Sequence, residues 1–247
     1  MVKHPTITFS CNSNYIGYAK CLINSIKKNS PECNLYVRLV NVDDDQLFDI
    51  WSTGIQVVSD RVFLNNSKNK IKSLSDNQTS FWKGDIPKRS LLYSDEISYT
   101  CHSRFKNILE LLDNGIDNIF CVDVDFIVRG NISELSNLEN DIHIKHTETT
   151  NGIEFKDEDA IFVKNTKRSK EFFSEVYSKV NSNVEYWDAD TIALNETYEM
   201  MKSNVKIHQL DLKYKDYELC DDSPVWSGDG GAKFTDKFIV ENRQYSL

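Results

Sequence analysis

No stretch of this sequence approaches the roughly 18 consecutive apolar residues that a membrane-spanning helix requires, and the mean hydropathy of −0.48 agrees. The opening MVKHPTITFS has no apolar core followed by a small-residue cleavage site, so it does not read as a secretory leader, and the expected compartment is the cytoplasm. Cysteine occurs six times but never as C-x-x-C. Cys11, Cys21, Cys33, Cys101, Cys121 and Cys220 are scattered, several inside apolar periodic segments. They read as reduced, buried thiols rather than a disulfide framework. Basic residues are also short, 29 Lys and Arg against 38 Asp and Glu, and the net charge of −9 excludes a non-specific binder of nucleic acid or anionic membrane. If the ligand is an anion, the cations it meets must be local. Four N-x-S/T sequons, at Asn65, Asn77, Asn131 and Asn195, carry little weight without a secretory signal. No repeat and no linker divides the 247 residues, and 40% hydrophobic content is enough to bury the core of one domain over 1–247.

What is present reads as alternating strands and helices. The β-branched run ITF leads into a polar turn, SCNSN, and then into a helix carrying Tyr18, Cys21 or Leu22, and Ile26 at helical spacing. LYVRLVNV is a second strand, DDQLFDIWSTG a short helix ending at Gly54, and IQVV a third strand. This β-α-β-α-β order predicts a mostly parallel, Rossmann-like sheet flanked by helices. Residues 65–80, NNSKNKIKSLSDNQTS, have no apolar period and predict a mobile surface loop. SYTCHSRFKNILELLDNG follows as a helix with Phe105, Ile108, Leu109 and Leu112 on one face, capped at Asn114-Gly115. Downstream, DEDAIFVKN reads as a strand entered through three acids, KRSKEFFSEVYSKV as a helix burying Phe172, Phe173, Val176 and Val180, and VKIHQLDL as a strand. The C-terminal DDSPVWSGDGGAKFTDKF reads as irregular.

One stretch does not fit a plain buried strand. In FCVDVDFIVRGN, alternation places Asp123 and Asp125 on one face and Val122, Val124 and Phe126 on the other. Two carboxylates so close raise one another's pKa unless a cation lies between them, which asks for a metal or a catalytic dyad. A strand running out into solvent would carry the same pattern at little cost. The position beyond a strand's carboxyl end is where open α/β sheets hold ligands.

Taken in order, the pieces resemble the GT-A-fold glycosyltransferases, closest to family 8, the glycogenin and bacterial galactosyl- and glucosyltransferase group. TFSCNSNYIGYAKCLINSI resembles the strand and loop that hold the nucleotide base, and YTCHSRFKNILELL the helix whose arginine reaches the donor. CVDVDFIVRGNISEL resembles the metal-binding D-x-D strand, WDADTIALN the D-Q-D-x-L-N segment, and WSGDGGAKF the C-terminal glycine and lysine loop. The match spans roughly residues 5–235. It implies a UDP-sugar donor, an acceptor of unknown kind, a retained anomeric configuration and Mn²⁺ or Mg²⁺ as cofactor.

By that resemblance Asp123 and Asp125 are metal ligands, with Asp123 and the backbone around Val124 also meeting the ribose. Arg104 and Lys233 supply fixed positive charge, and Gly228, Gly230 and Gly231 let backbone N–H groups approach the phosphates. Ser10, Asn12 and Tyr15 are candidate base and ribose contacts, Tyr15 being equally able simply to pack the first helix. Asp188 would meet donor-sugar hydroxyls and Asp190 the reacting centre, with Arg104 also catalytic. Two acids at spacing two cannot share one helical face, and either could instead cap a helix.

Three positions depart from the family pattern. Ala189 replaces a glutamine. Ser227 stands where a histidine is the third metal ligand, and a hydroxyl is a weaker ligand. Asp159, in DEDAIFVKN, stands where asparagine, a small residue and glycine are usual, and becomes a candidate sugar contact. His208, the nearest upstream histidine, reads as structural. These departures keep open a GT-A-like protein that binds a sugar nucleotide without turning it over. A sugar nucleotidyltransferase would want more than the one glycine of SCNSNYIGYAK in its first loop. A haloacid-dehalogenase-type phosphatase would want its D-x-D near the N-terminus, followed by small or hydroxyl residues.

Overall fold

The computed structural model describes residues 4–62, 95–150, 152–182 and 188–246. The loop expected at 65–80 lies outside the described residues. A seven-stranded sheet runs β10-β6-β9-β4-β1-β2-β3, built from β1 (Thr6–Asn12), β2 (Asn34–Val40), β3 (Gln56–Asp60), β4 (Asn118–Val122), β6 (Ile142–Ile144), β9 (Ala160–Lys164) and β10 (Ile207–His208). Only β9 runs against its neighbours β4 and β6; the other pairings are parallel. Two small antiparallel ribbons complete the strands: β5 (Phe126–Val128) with β11 (Val225–Ser227), and β7 (Thr147–Thr149) with β8 (Gly152–Glu154). Among the described residues the helices are α1 (Ile16–Asn29), α2 (Asp44–Trp51), α3 (Asp95–Asp113), α4 (Lys167–Asn181), α5 (Ala189–Met201) and α6 (Asp236–Arg243). The α/β class and the mostly parallel sheet expected from the sequence are therefore present.

Strand alternation sorts the interior into two layers. Ile7, Phe9 and Cys11 of β1, with Phe120 and Val122 of β4, face α1 and join one core. Ile119 and Cys121 of β4, with Ile161 and Val163 of β9, face α3 and α4 and join the other. Phe105, Ile108 and Leu112 are the buried stripe of α3, which ends at Gly115 with φ +78, the left-handed conformation that a glycine tolerates.

Four local expectations change. β1 continues through Ser10, Cys11 and Asn12, where a polar turn was expected, because pairing of Cys11 and Asn12 with Leu39 and Val40 of β2 overrides the local polarity. Asp123 and Asp125 do not share a strand face. β4 stops at Val122 and the acids occupy the turn before β5, so the apparent single strand is two strands of different sheets. VKIHQLDL contributes only the two residues of β10 before a 3-10 turn at Leu212–Tyr214. The C-terminal segment is not irregular: it holds β11, a 3-10 turn at Asp229–Phe234, and α6.

Buried Arg38 crosses from β2 under α3. Its guanidinium donates to Asn107 at 2.6 Å and to both oxygens of Asp60 at 2.9 and 2.8 Å, and it pairs with Glu110. Burial works against the Asp60 carboxylate, but the Arg38 charge and hydrogen bonds from Lys106, Tyr99 and Arg38 hold its pKa below the ordinary value. A carboxylate depressed in the fold contributes stability that is complete above its unfolded pKa of about 3.9 and is lost as pH falls through the folded value. Asp60→Asn should thus cost on the order of 2 kcal/mol at pH 7 and less at pH 3. Urea midpoints at the two pH values check this, and equal losses at both would contradict it.

Candidate functional site

The strand order reverses between β1 and β4, since β2 lies on one side of β1 and β4 on the other. A crevice opens at such a switch point beyond the carboxyl ends of the two strands. The sequence places Asn12 to Tyr15 at the end of β1 and Asp123 to Asp125 at the end of β4.

The acidic turn is fixed from three sides. The Asp123 N–H donates to the Asp159 carbonyl at 2.9 Å, tying the end of β4 to the entrance of β9. The buried guanidinium of Arg104, on α3, meets the Asp123 carboxylate at 2.9 Å and donates to the carbonyls of Glu158 at 2.6 Å and Cys101 at 2.8 Å. Burial lifts the Asp123 carboxyl to about 6, opposed by Arg104 and reinforced by Asp125. The Asp125 carboxylate receives the Lys233 ammonium at 2.6 Å, and its carbonyl accepts the Gly228 N–H at 3.0 Å. Val124 packs against the α1-side core.

The β5–β11 ribbon explains how residues so distant in sequence meet. Ser227 lies opposite Phe126, so the following Gly228 falls beside Asp125. A Cβ on Gly228 would come within 2.7 Å of the Asp125 carbonyl oxygen and 3.0 Å of its Cγ. Gly230 and Gly231 take φ of +61 and +103, a reversal that suits glycine. It returns the Lys233 N–H to the Gly228 carbonyl at 3.3 Å.

Ser227 is buried, and its hydroxyl donates to the Asp159 carboxylate at 3.3 Å. The other Asp159 oxygen, together with Asp157, holds the ammonium of Lys215, which is only 1% exposed. Burial works against the Lys215 charge, but Asp159 and Asp157 outweigh it and keep the ammonium protonated. Lys145 adds a second ammonium on Asp157, at 2.8 Å.

Asp188 and Asp190 open α5. Asp188 sits at the N-cap position but makes no side-chain cap bond, and its buried Oδ1 finds no hydrogen-bond partner among the described residues. The capping role is thus unfilled, and the oxygen remains able to accept. Asp190 is buried, accepts the Thr191 N–H at 2.9 Å and lies 3.7 Å from His102 Nε2 of α3. Glu158 shares a hydrogen bond with Asp190. Burial, then the Asp190 charge, push the Glu158 carboxyl well above its usual range.

At the β1 end, Ser10 Oγ accepts from Ser103 at 2.8 Å and from Asn107 at 3.1 Å, binding β1 to α3 rather than standing free. Asn12 is buried and its side-chain oxygen caps the 3-10 turn by accepting from Asn14 N–H at 3.1 Å. Tyr15 packs on the α1-side core, with its ring 6.1 Å from that of Tyr18. His208, in the edge strand β10, lies opposite His143 of β6 and is separated from β4 by β6 and β9.

Asp123, Asp125 and Ser227 offer only oxygen donors, which suits a hard divalent ion such as Mn²⁺ or Mg²⁺. The fit is looser than the sequence implied. Among the described residues no third acid, imidazole or thiolate joins both aspartates at ligand spacing; the one such acidic group is Asp157, Asp159 and Asp229, with ligand atoms within 4.8 Å of one another. Sequence reasoning missed Lys215, Glu158, Asp157 and His102. Lys215 lies in DLKYKDYEL, which has no periodicity to single it out, whereas the three acids of DEDA were visible as a cluster without their partner.

The family model for Glycosyl transferase family 8 matches residues 6–219. The Ser227–Lys233 loop falls beyond that match and is tied to the site by its contacts with Asp125 and Asp159. No curated protein matches the sequence. Among solved structures, the glycosyltransferase GlyE of Streptococcus pneumoniae TIGR4 is similar at 13% identity and a TM-score of 0.56, over 99% of this chain and 60% of GlyE. The bifunctional glycosyltransferase WbbM gives 14% and 0.55, over 98% of this chain and 50% of WbbM. The galactosyltransferase LgtC, solved with donor and acceptor sugar analogs, gives 11% and 0.54, over 97% and 95%. The chain thus spans 60% or less of the length of GlyE and WbbM. At these identities the likeness speaks to the fold, which is that of the GT-A glycosyltransferases. Among the described residues no helix is long and apolar enough to cross a membrane.

Because the Gly228 backbone lies directly against Asp125, Gly228→Ala should displace that carboxylate. The variant is expected to lose about 2 kcal/mol of stability, read from its urea midpoint. An unchanged midpoint would show that this close approach does not constrain Asp125.

Proposed function

This chain belongs to glycosyl transferase family 8, and from that premise we propose that it transfers a hexose from a UDP-sugar, UDP-glucose first among candidates, to an acceptor with retention at the anomeric carbon. The observation that carries the reading is the convergence of two acids and two fixed cations, Asp123 with Arg104 and Asp125 with Lys233, at the sheet's switch point.

A departing nucleoside diphosphate gains negative charge as the glycosidic bond breaks, and charges fixed beforehand stabilise it without reorganising. Arg104 is locked by two backbone carbonyls and Lys233 by a glycine turn, so both ammonium and guanidinium are held in place. Asp123 and Asp125 would hold Mn²⁺ or Mg²⁺, which when bound supplies Lewis-acid stabilisation to the same group. Tyr15 would flank the base, with Ser10, Asn12 and Val124 forming the wall beside the ribose, and the backbone at Gly228 and Gly230 would face the phosphates. The unfilled Oδ1 of Asp188 suits a donor-sugar hydroxyl. Asp190, oriented by Thr191, His102 and Glu158, would stand at the reacting centre. Asp159 would lie beside the sugar.

A second reading, binding without turnover, is favoured by one feature. The Ser227 hydroxyl that replaces an expected histidine ligand is engaged with Asp159.

A screen of UDP-hexoses with released UDP as readout separates the two readings, since both bind donor and only one consumes it. Turnover should require Mn²⁺ or Mg²⁺, and Asp123→Ala/Asp125→Ala should lower it by about 1000-fold or more. Full activity in EDTA or in the double variant would count against a metal-assisted transferase.

A further inference from the structure

A second pocket lies at the other end of β4 from the acidic turn. Asp117 and Asn118 stand at the start of that strand and Asp123 follows its close, so the two places are separated by the five residues of β4, about 16 Å of strand. The pocket has a volume of about 380 Å³.

Three pieces of the fold build it. Asn118 and Lys164 lie opposite each other in the β4–β9 pairing, one alternation outside Phe120 and Phe162 of the α1-side core. The 3-10 turn Ser133–Asn137, anchored by buried Leu135, contributes Ser136 and Asn137. Asn165 and Thr166 form the remaining wall, and their side chains are committed. Asn165 Nδ2 donates to the Leu112 and Ile116 carbonyls at 2.9 and 3.0 Å, and the Thr166 hydroxyl donates to Asp141 at 2.8 Å. Ser136 is different: its Oγ is buried and has no hydrogen-bond partner among the described residues. Native folds seldom leave a buried hydroxyl in that condition without a reason.

The lining decides what can fill the pocket. Ligand pockets of this size are ordinarily lined mostly by apolar side chains, whereas every lining residue here is polar. No ring is present to stack a base, and no aliphatic surface to seat a lipid or an apolar peptide side chain. One carboxylate, Asp117, and one ammonium, Lys164, line the same space, so neither an anion nor a cation is favoured by charge. What is left is a neutral molecule that both donates and accepts hydrogen bonds at several closely spaced points. A hydroxyl does both, and a sugar ring carries several.

We propose that this pocket binds one neutral saccharide unit, held by Ser136, Lys164 and Asp117, at a place separate from the donor crevice. The inference goes beyond the transferase reading and does not depend on turnover. A glycan held there stays on the protein without occupying the crevice.

Glucose and maltose are the probes, titrated into isotopically labelled protein without nucleotide or metal and followed by the backbone amide NMR signals of Asn118, Asn137 and Asn165. Shifts at those amides are expected to saturate in the millimolar range. Ser136→Ala and Lys164→Met are each expected to weaken binding about tenfold, the loss of one well-placed hydrogen bond, with affinity for UDP unchanged. Ser136→Ala carries a second signature. It removes a buried hydroxyl that no protein group satisfies, so without sugar its melting midpoint should equal or exceed that of the wild type. A lower midpoint would show that the hydroxyl is bonded within the fold and overturn the proposal.

No shift at these amides with either sugar overturns it as well, leaving a hydrated surface pocket. Equal shifts with inorganic phosphate or with glycerol do the same, the first marking an anion site and the second a site without selectivity for a sugar ring. Binding that either variant retains at full strength also overturns it. Turnover of UDP-sugars is assayed separately. An inactive protein with these shifts defeats the transferase reading alone, and an active one without them defeats the pocket proposal alone.

Discussion

The site depends on one buried guanidinium. Arg104 reaches from α3 to the Asp123 carboxylate and to the Glu158 carbonyl, so a single side chain fixes the acidic turn after β4 relative to the acid-rich entrance of β9. Burial of an arginine is tolerable only when its donors are satisfied. Here backbone carbonyls take Nε, through Cys101, and Nη1, through Glu158, while Nη2 orients a carboxylate. Because the bond from Ser103 to Ser10 also ties α3 to β1, the helix joins both walls of the switch-point crevice. The α3-side core of Phe105, Ile108 and Leu112 against β4 and β9 is what keeps that helix in register.

Much of this was legible in the sequence where periodicity carried it. The stripe of α3 and its Gly115 stop, the Phe172/Phe173 face of α4 and the first three parallel strands follow from spacing alone. The order of motifs pointed to the family. Other features were hidden by physics rather than by chance. The run FCVDVDFIV reads as one strand because both halves are apolar and β-branched, yet the chain changes sheets within it, and only the partner β11 reveals this. The Ser103 hydroxyl of α3 donates to Ser10, and no local pattern announces a contact 93 residues away. Lys215 was illegible for the same reason, since its meaning lies wholly in two acids far upstream.

The charge inventory gives the site a particular character. Net charge across the chain is −9, yet the crevice gathers Arg104, Lys233, Lys215 and Lys145 around its acids. The protein is thus acidic in bulk and locally balanced where an anion would bind. Beside Asp190, burial and that neighbouring charge push the Glu158 carboxyl well above its usual range. Acids near the turn that would repel one another are kept together by fixed cations.

The β5–β11 ribbon has a temporal corollary. Lys233 follows Asp125 by 108 residues, so the acidic half of the crevice leaves the ribosome well before its ammonium counterweight, and synthesis runs from the N-terminal side. A nascent chain halted before the ribbon closes carries repelling carboxylates with no Lys233 to offset them. Maturation of the crevice is in this way coupled to completion of the ribbon.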